Sequence, residues 1–296
     1  MSAVQAKDYV IVGYPIAKSK SPILHNTAYE YHSLPHRYRY IEQPELGNNI
    51  RELLRAPSFG GMSVTMPFKA EIVQLLDSVT PVAATLGAVN TVIPTKRTDG
   101  TVELVGDNTD WIGILQELRT KLKPEQLAER DLPGLVLVHA LHEAGMSIIY
   151  LFNRTRSKSE DIVFSFPSYY NIVLIDDLAA NAFTAGLPIA IVGTLPAKAT
   201  SIDPKEKTAE QVLIPVDPLL RKGGVVVIDM AYLPRETPLL RLAHSLGAEQ
   251  CVTSDGLDVL LQQGYEQFRI WNHGLEPPVE LCRQKVVEEY ERENPV

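Results

Sequence analysis

With 296 residues, the chain is long enough for two domains, each with its own hydrophobic core. Hydrophobic residues make up 45% and charged residues 22%, an ordinary composition for a water-soluble globular protein. A formal net charge of −8, with no cluster of lysines and arginines, argues against a nucleic-acid surface.

The elements follow one another as alternating strand-like and helix-like runs. Tyr9 to Gly13 is a short apolar strand. Ser21-Pro22 then opens a helix, because serine is a good N-cap and proline suits the first helical position. Arg37 to Ile41 reads as a strand, Asn48 to Leu54 as a helix, Gly61 to Thr65 as a strand and Lys69 to Leu76 as a helix. Ala88 to Pro94 and Val102 to Gly106 form a hairpin about Thr98-Asp99-Gly100. A long helix follows Asp110, with Trp111, Leu115, Leu118 and Leu122 at helical spacing, and Pro124 ends it.

Beyond it, Leu135 to Val138 reads as a strand running into a short helix, His139 to Ala144, and then a second strand, Ser147 to Phe152. Later strands are Ile172 to Ile175, Ile189 to Val192, Val225 to Met230 and Gln250 to Thr253. From Gly256 the tail is helical, with Leu257, Leu260 and Leu261 in an apolar stripe. This alternation predicts an α/β fold with mostly parallel sheets. The expected division is residues 1–113, a second α/β domain over 114–255, and C-terminal helices over 256–296 that return to the first domain.

Cys251 and Cys282 fit no metal spacing and read as reduced thiols of a cytoplasmic protein. No charged segment followed by an apolar one opens the chain, so no signal peptide is expected. No apolar run reaches the ~18 residues of a membrane helix, so no membrane partner is expected either. The oligomeric state is not readable.

Three clusters in the first half could carry chemistry. Ser19-Lys20-Ser21-Pro22 puts two hydroxyls beside free helix N–H groups, a place for a carboxylate or polyol. The plainer reading is that Ser21 only caps the helix. In Ser63-Val64-Thr65-Met66-Pro67-Phe68-Lys69, a lysine stands just past a strand, where α/β sheets bind ligands. Its plainer reading is a solvated lysine. Gly106-Asp107-Asn108-Thr109-Asp110, with Asn90 upstream, could equally be a helix cap.

In this order the clusters resemble the shikimate dehydrogenase family. The matching stretches are YPIAKSKSPILHN, SVTMPFK, GAVNT and GDNTDWIG, then NRTRSK, IDMAYLPRETPLL and DGLDVLLQQGYEQF. They span nearly the whole chain. Their style is similar to the corresponding domain of the fungal five-activity shikimate-pathway protein.

The resemblance implies a substrate-binding N-terminal domain, a Rossmann-like NADP domain, and interconversion of 3-dehydroshikimate and shikimate with NADP(H). By the same resemblance, Ser19 and Ser21 would hold the substrate carboxylate. Thr65, Asn90 and Gln263 would bond its hydroxyls, and Tyr232 would line the site. Lys69 and Asp110 would be the catalytic pair. As hydride leaves a secondary alcohol carbon, the hydroxyl proton must go, and a lysine beside a carboxylate can relay it. Ser63 stands where many members carry asparagine.

Asn153, Arg154, Thr155, Arg156 and Lys158 follow the second strand of the cofactor domain. That is where a dinucleotide fold reads the adenosine ribose, and arginines and hydroxyls there favour a 2′-phosphate. The plainer reading is surface charge.

One motif is missing. A dinucleotide fold needs a glycine-rich turn between its first strand and helix, and here Val138 runs straight into His139. His139 to Ala144 is too short to cross back along a strand. Three explanations compete. An exon has been dropped from the coding sequence of a family member that is intact in the cell, or the protein is a non-catalytic shikimate- or quinate-binding regulator related to the quinate repressor, or another loop holds NADP weakly. A quinate dehydrogenase is a further alternative. His139 and His142 sit one turn apart, but no third ligand accompanies them, so no metal is expected.

Overall fold

The computed structural model describes residues 4–122, 135–153, 155–184, 186–194, 216–220, 224–247 and 251–295. The chain divides into two compact units, Met1–Asp110 with Gln263–Val296, and Trp111–Gln262.

The first unit holds, in chain order, β1 (Asp8–Gly13), α1 (Ser21–Tyr31), β2 (Arg37–Glu42), α2 (Asn48–Leu54), β3 (Phe59–Val64), β4 (Ser78–Val79), α3 (Pro81–Leu86), β5 (Thr91–Lys96) and β6 (Val102–Asp107). They form a six-stranded sheet of order β2-β1-β3-β5-β6-β4. β1 is parallel to both β2 and β3, and it is buried almost along its whole length, which explains its unbroken apolar run. β5 runs antiparallel to β3, with Ser63 opposite Thr91, and β6 runs antiparallel to β5, with Thr91 opposite Asp107. The ends of β1, β3 and β6 and the start of β5 therefore share one edge. The core beneath packs Val10, Val12, Ile50, Met62, Ile72 and Leu104. Gly61 faces the Trp271 indole so closely that a Cβ there would collide with it.

Three local expectations change. The N-cap of α1 is Lys20, not Ser21, and it makes no side-chain cap bond. Ser21 is itself helical and buried. The reason lies in Lys20, which is 1% exposed and reaches Glu293 at 2.7 Å. The expected helix over Lys69–Leu76 shrinks to a 3₁₀ turn, Glu71–Leu75. The Lys69 carbonyl accepts from the Val89 N–H at 2.7 Å, so it is not spent on a helix. Helix α3 was not expected. Thr80 caps it, Pro81 opens it, and Gly87 closes it at φ +60.

α4 (Asp110–Lys121) begins in the first unit and continues into the second. Pro124, its expected terminator, lies outside the described residues. The second unit then holds α5 (Leu135–Glu143), β7 (Ile149–Leu151), α6 (Arg156–Ser165), β8 (Ile172–Leu174), β9 (Ala190–Gly193), α7 (Asp217–Leu220), β10 (Val225–Asp229), α8 (Pro238–Ser245) and β11 (Cys251–Asp255). α9 (Gly256–Trp271) starts in the second unit and enters the first at Gln263, and α10 (Val279–Glu293) belongs to the first.

The expected strand Leu135–Val138 is absent: those residues open the single helix α5. The physical reason is the missing turn. No glycine or proline separates Leu135 from Glu143, so nothing stops a helix, and a helix satisfies its own backbone while a strand needs neighbours. Gly145, at φ +84, follows α5, and the Gly145 and Met146 N–H groups bond back to His142 and Leu141.

The described strands of this unit form two separate parallel sheets, β7-β8 and β11-β10-β9. A dinucleotide fold orders its strands 3-2-1-4-5-6. The two sheets correspond to the flanks of that order, with the central position unfilled among the described residues. The unit still has its own core, centred on Tyr150, Leu219, Leu220, Val225, Val227 and Leu240.

Candidate active site

Every side chain of the first unit singled out above lies near the shared sheet edge or on α9. Lys69 follows β3, and its ammonium donates to Asp110 Oδ2 at 2.6 Å. The two side chains are 29% and 19% exposed, so solvent screens this pair less than it would a surface pair. Asp110 is the first residue of α4, yet it is not the cap. Asn108 takes that role, its Oδ1 accepting the Asp110 N–H at 3.0 Å and its amide held by the Ala88 carbonyl at 2.9 Å. The Asp110 carboxylate is thus left free to face Lys69.

Asn90, just before β5, is 3% exposed. Its Nδ2 donates to Asp110 Oδ1 at 2.8 Å, to Thr109 Oγ1 at 3.0 Å and to Gln263 Oε1 at 3.3 Å. Its Oδ1 accepts from the Thr109 N–H at 2.7 Å and the Thr91 hydroxyl at 2.6 Å. Lys69, Asn90, Asp110 and Gln263 are therefore one connected group.

Thr65 is half-buried at the end of β3, its N–H donating to the Val12 carbonyl at 3.0 Å. Ser19 Oγ accepts from the Ser21 N–H at a long 3.4 Å. The Ser21 hydroxyl acts on the Tyr38 phenol, whose pKa burial raises and whose partners Ser63 and Ser21 bring part of the way down. Behind these groups lies His25, fully buried and stacked on Tyr38 with ring centroids 4.4 Å apart. Burial drives its pKa down to about 3, against a smaller opposing effect of Gln267, so this imidazole is neutral.

The candidate residues of the second unit stay with their own elements. Tyr232 is half-buried past the end of β10. Asn153 Oδ1 accepts from the Thr155 N–H at 3.0 Å, which shapes the turn before α6. Arg156 is ion-paired with Asp176 and, at 3.0 Å, with Glu160, and both raise its pKa, Asp176 the more. Lys158 is exposed on α6, and Arg154 lies outside the described residues. His139 is 7% exposed, its Nδ1 2.8 Å from the Tyr170 hydroxyl and its ring edge-on to Trp111. His142 packs on Tyr170 with centroids 4.3 Å apart. Among the described residues, no three His, Cys, Asp or Glu side chains could hold a metal ion.

A nicotinamide dinucleotide needs a strand, a glycine turn and a helix N-terminus for its pyrophosphate. The described residues do not supply that cradle: Leu135–Val138 is helical, and the Arg156 guanidinium is already engaged.

A family model described as the shikimate dehydrogenase substrate binding domain matches residues 11–92, and the shikimate 5'-dehydrogenase C-terminal domain matches residues 256–287. A solved shikimate dehydrogenase from Aquifex aeolicus is 31% identical, with a TM-score of 0.75 over 97% of this chain and 99% of that one. The chain belongs to the shikimate dehydrogenase family. Dehydroquinate dehydratase and shikimate dehydrogenase from S. pombe AroM is 34% identical, with a TM-score of 0.80 over 96% of this chain and 53% of that one. The pentafunctional AROM polypeptide of Mycosarcoma maydis is 36% identical over 92% of this chain, which spans only 17% of its length. Shikimate 5-dehydrogenase from Thermus thermophilus, in complex with NADP(H) and shikimate, is 26% identical, with a TM-score of 0.72 over 96% of this chain and 99% of that one.

Sequence reasoning missed Tyr38, Thr91 and Gln267. Tyr38 and Thr91 sit on strands with no special spacing. Gln267 did carry a signal, since it lies one helical turn after Gln263 on α9.

Proposed function

We propose that this chain binds shikimate and 3-dehydroshikimate and is built for their NADP-dependent interconversion, in the cytoplasm. The observation that carries the reading is the 2.6 Å Lys69–Asp110 pair, linked through the Asn90 amide to Gln263. Ser19 and Ser21 supply hydroxyls for the substrate carboxylate. Thr65, Asn90 and Gln263 supply bonding partners for its ring hydroxyls. Lys69, paired with Asp110, takes the proton of the reacting hydroxyl as a neutral amine and returns it as an ammonium, whose charge stabilises the alkoxide that develops there. NADP supplies the hydride acceptor or donor in this family. By the family resemblance, Asn153, Arg154, Thr155, Arg156 and Lys158 would meet its adenosine end, Arg156 only by giving up its pairs with Asp176 and Glu160. The shikimate and NADP(H) held by the Thermus relative support the choice of substrate and cofactor.

A second reading is a shikimate- or quinate-binding protein without turnover. The split sheet of the second unit favours it. Calorimetric titration with shikimate, quinate and NADP⁺ separately decides between them. Binding of both shikimate and NADP⁺ supports the dehydrogenase. Binding of shikimate or quinate alone supports the second reading. No binding of shikimate or quinate overturns both.

A further inference from the structure

A line of hydrogen bonds runs behind the site, and all of them point the same way. The Tyr38 hydroxyl donates to Ser63 Oγ at 2.6 Å, and Ser63 Oγ donates to Gln267 Oε1 at 2.8 Å. Gln267 Nε2 donates to Thr91 Oγ1 at 2.8 Å, and Thr91 Oγ1 donates to Asn90 Oδ1 at 2.6 Å. Asn90 Nδ2 ends the line on Asp110 Oδ1 at 2.8 Å. Tyr38, Ser63, Gln267, Thr91 and Asn90 are all buried. Buried bonds aligned in this way strengthen one another, and an unmet partner among them is costly.

Gln267 sits at the centre of the line. It is the only amide in it besides Asn90, and an amide has a fixed donor end and a fixed acceptor end. A hydroxyl can donate in either direction. Ser63 and Thr91 therefore take their sense from Gln267. Because Gln267 fills the acceptor side of Thr91, the single Thr91 proton goes to Asn90 Oδ1. That turns the Asn90 NH₂ toward Asp110 and Gln263. Gln267 Nε2 also reaches the Asn90 carbonyl at 3.2 Å, so it holds the residue by main chain and side chain together. Thr109 also fixes the Asn90 oxygen, donating to it from its N–H at 2.7 Å and its hydroxyl at 3.3 Å.

We propose that Gln267 is a positioning residue: it orients the Asn90 amide, and through it the donor edge offered to a polyol substrate. The substrate part rests on the function proposed above. The orientation part does not. Ser63 follows the same logic. Its proton goes to Gln267 and one lone pair is filled by Tyr38, so its hydroxyl is spent inside the protein.

The test uses the full chain and two variants. Gln267→Leu removes donor and acceptor. Gln267→Glu keeps the acceptor for Ser63 and, when ionised, has no proton for Thr91, so it separates direction from packing and replaces the leucine variant if that one unfolds. The first readout needs no ligand: solvent exchange of the Asn90 side-chain NH₂, followed by NMR. It is expected to be slow in the parent chain and at least ten times faster in both variants, with melting still cooperative. Unchanged exchange in the variants overturns the proposal, whether or not shikimate binds. The second readout is shikimate affinity by calorimetry. Gln267→Leu should weaken it about tenfold, the loss of one well-placed hydrogen bond. In an Asn90→Ala background the same change should cost nothing further. A full tenfold loss in that background would show that Gln267 acts by general packing and would overturn the proposal. Absence of shikimate binding by the parent chain, with the exchange result as expected, would remove the substrate assignment and leave the orienting role in place.

Discussion

The two units differ in what their sites are made of. In the first, the six-stranded sheet is continuous, and the site consists of side chains brought to one edge: Lys69, Asn90, Asp110 and Gln263. In the second, the two described sheets are separate, and the described residues hold no strand with a glycine turn between them. A side-chain site survives as long as its sheet does. A site made of main-chain N–H groups is lost with one short stretch of sequence, because no neighbouring side chain can replace an aimed backbone. The second unit nevertheless packs a core, so holding a fold together and holding a pyrophosphate are separate demands.

The sharpest way to break this comparison is to repair it. Replacing residues 135–144 with a full strand, glycine turn and helix from a family member should raise NADP⁺ affinity, with shikimate affinity unchanged. If NADP⁺ affinity does not rise, the contrast between the units is misplaced. In that repaired chain, Lys69→Ala should lower turnover by roughly 10²–10⁴-fold with little change in shikimate affinity. Full activity in that variant would remove Lys69 from the chemistry.

A smaller effect belongs to the first unit alone. His25 is neutral when folded, with its pKa pushed down to about 3, while the unfolded chain takes up a proton below the ordinary 6.5. The unfolded state then binds more protons, so stability falls as pH drops through 6.5 toward 3, by up to about 1.4 kcal/mol per pH unit. Between pH 7 and pH 5 this comes to about 2 kcal/mol, and His25→Phe should remove that share in urea unfolding at the two values. Smallest of all is Arg156→Ala. Its ion pairs with Asp176 and Glu160 are exposed, and pairs of that kind add little, so unfolding of the second unit should be unchanged.

Much of the first unit was legible from local signals. β1 is apolar from Tyr9 onward, where it is buried, and α2 matches its expected bounds. The Thr80-Pro81 start and Gly87 stop of α3 were also present, in a helix only six residues long, too short for periodicity to draw attention to them. Other features depend on distant partners. Ser21 reads as a cap, but the helix starts at it, because Lys20 is drawn to Glu293. Leu-Val-Leu-Val reads as a strand, but its conformation is decided by a turn that is not there. The cluster of Lys69, Asn90, Asp110 and Gln263 came from the order of motifs. The role of Gln267 could not, since its acceptor end is met by Ser63, 204 positions earlier.

The bond between Lys20 and Glu293 bears on how the site comes into being. Lys20 stands between Ser19 and Ser21, and its ammonium is paired with the last residue of α10. The first unit is thus closed by contacts between opposite ends of the sequence, with all of the second unit strung between them. Contacts of such long range form late and slow the search for the native state. During synthesis, the stretch from β1 to Asp110 emerges well before α9 and α10. The first unit cannot be completed until the residues from Gln263 onward have emerged, whereas the second unit is contiguous in sequence.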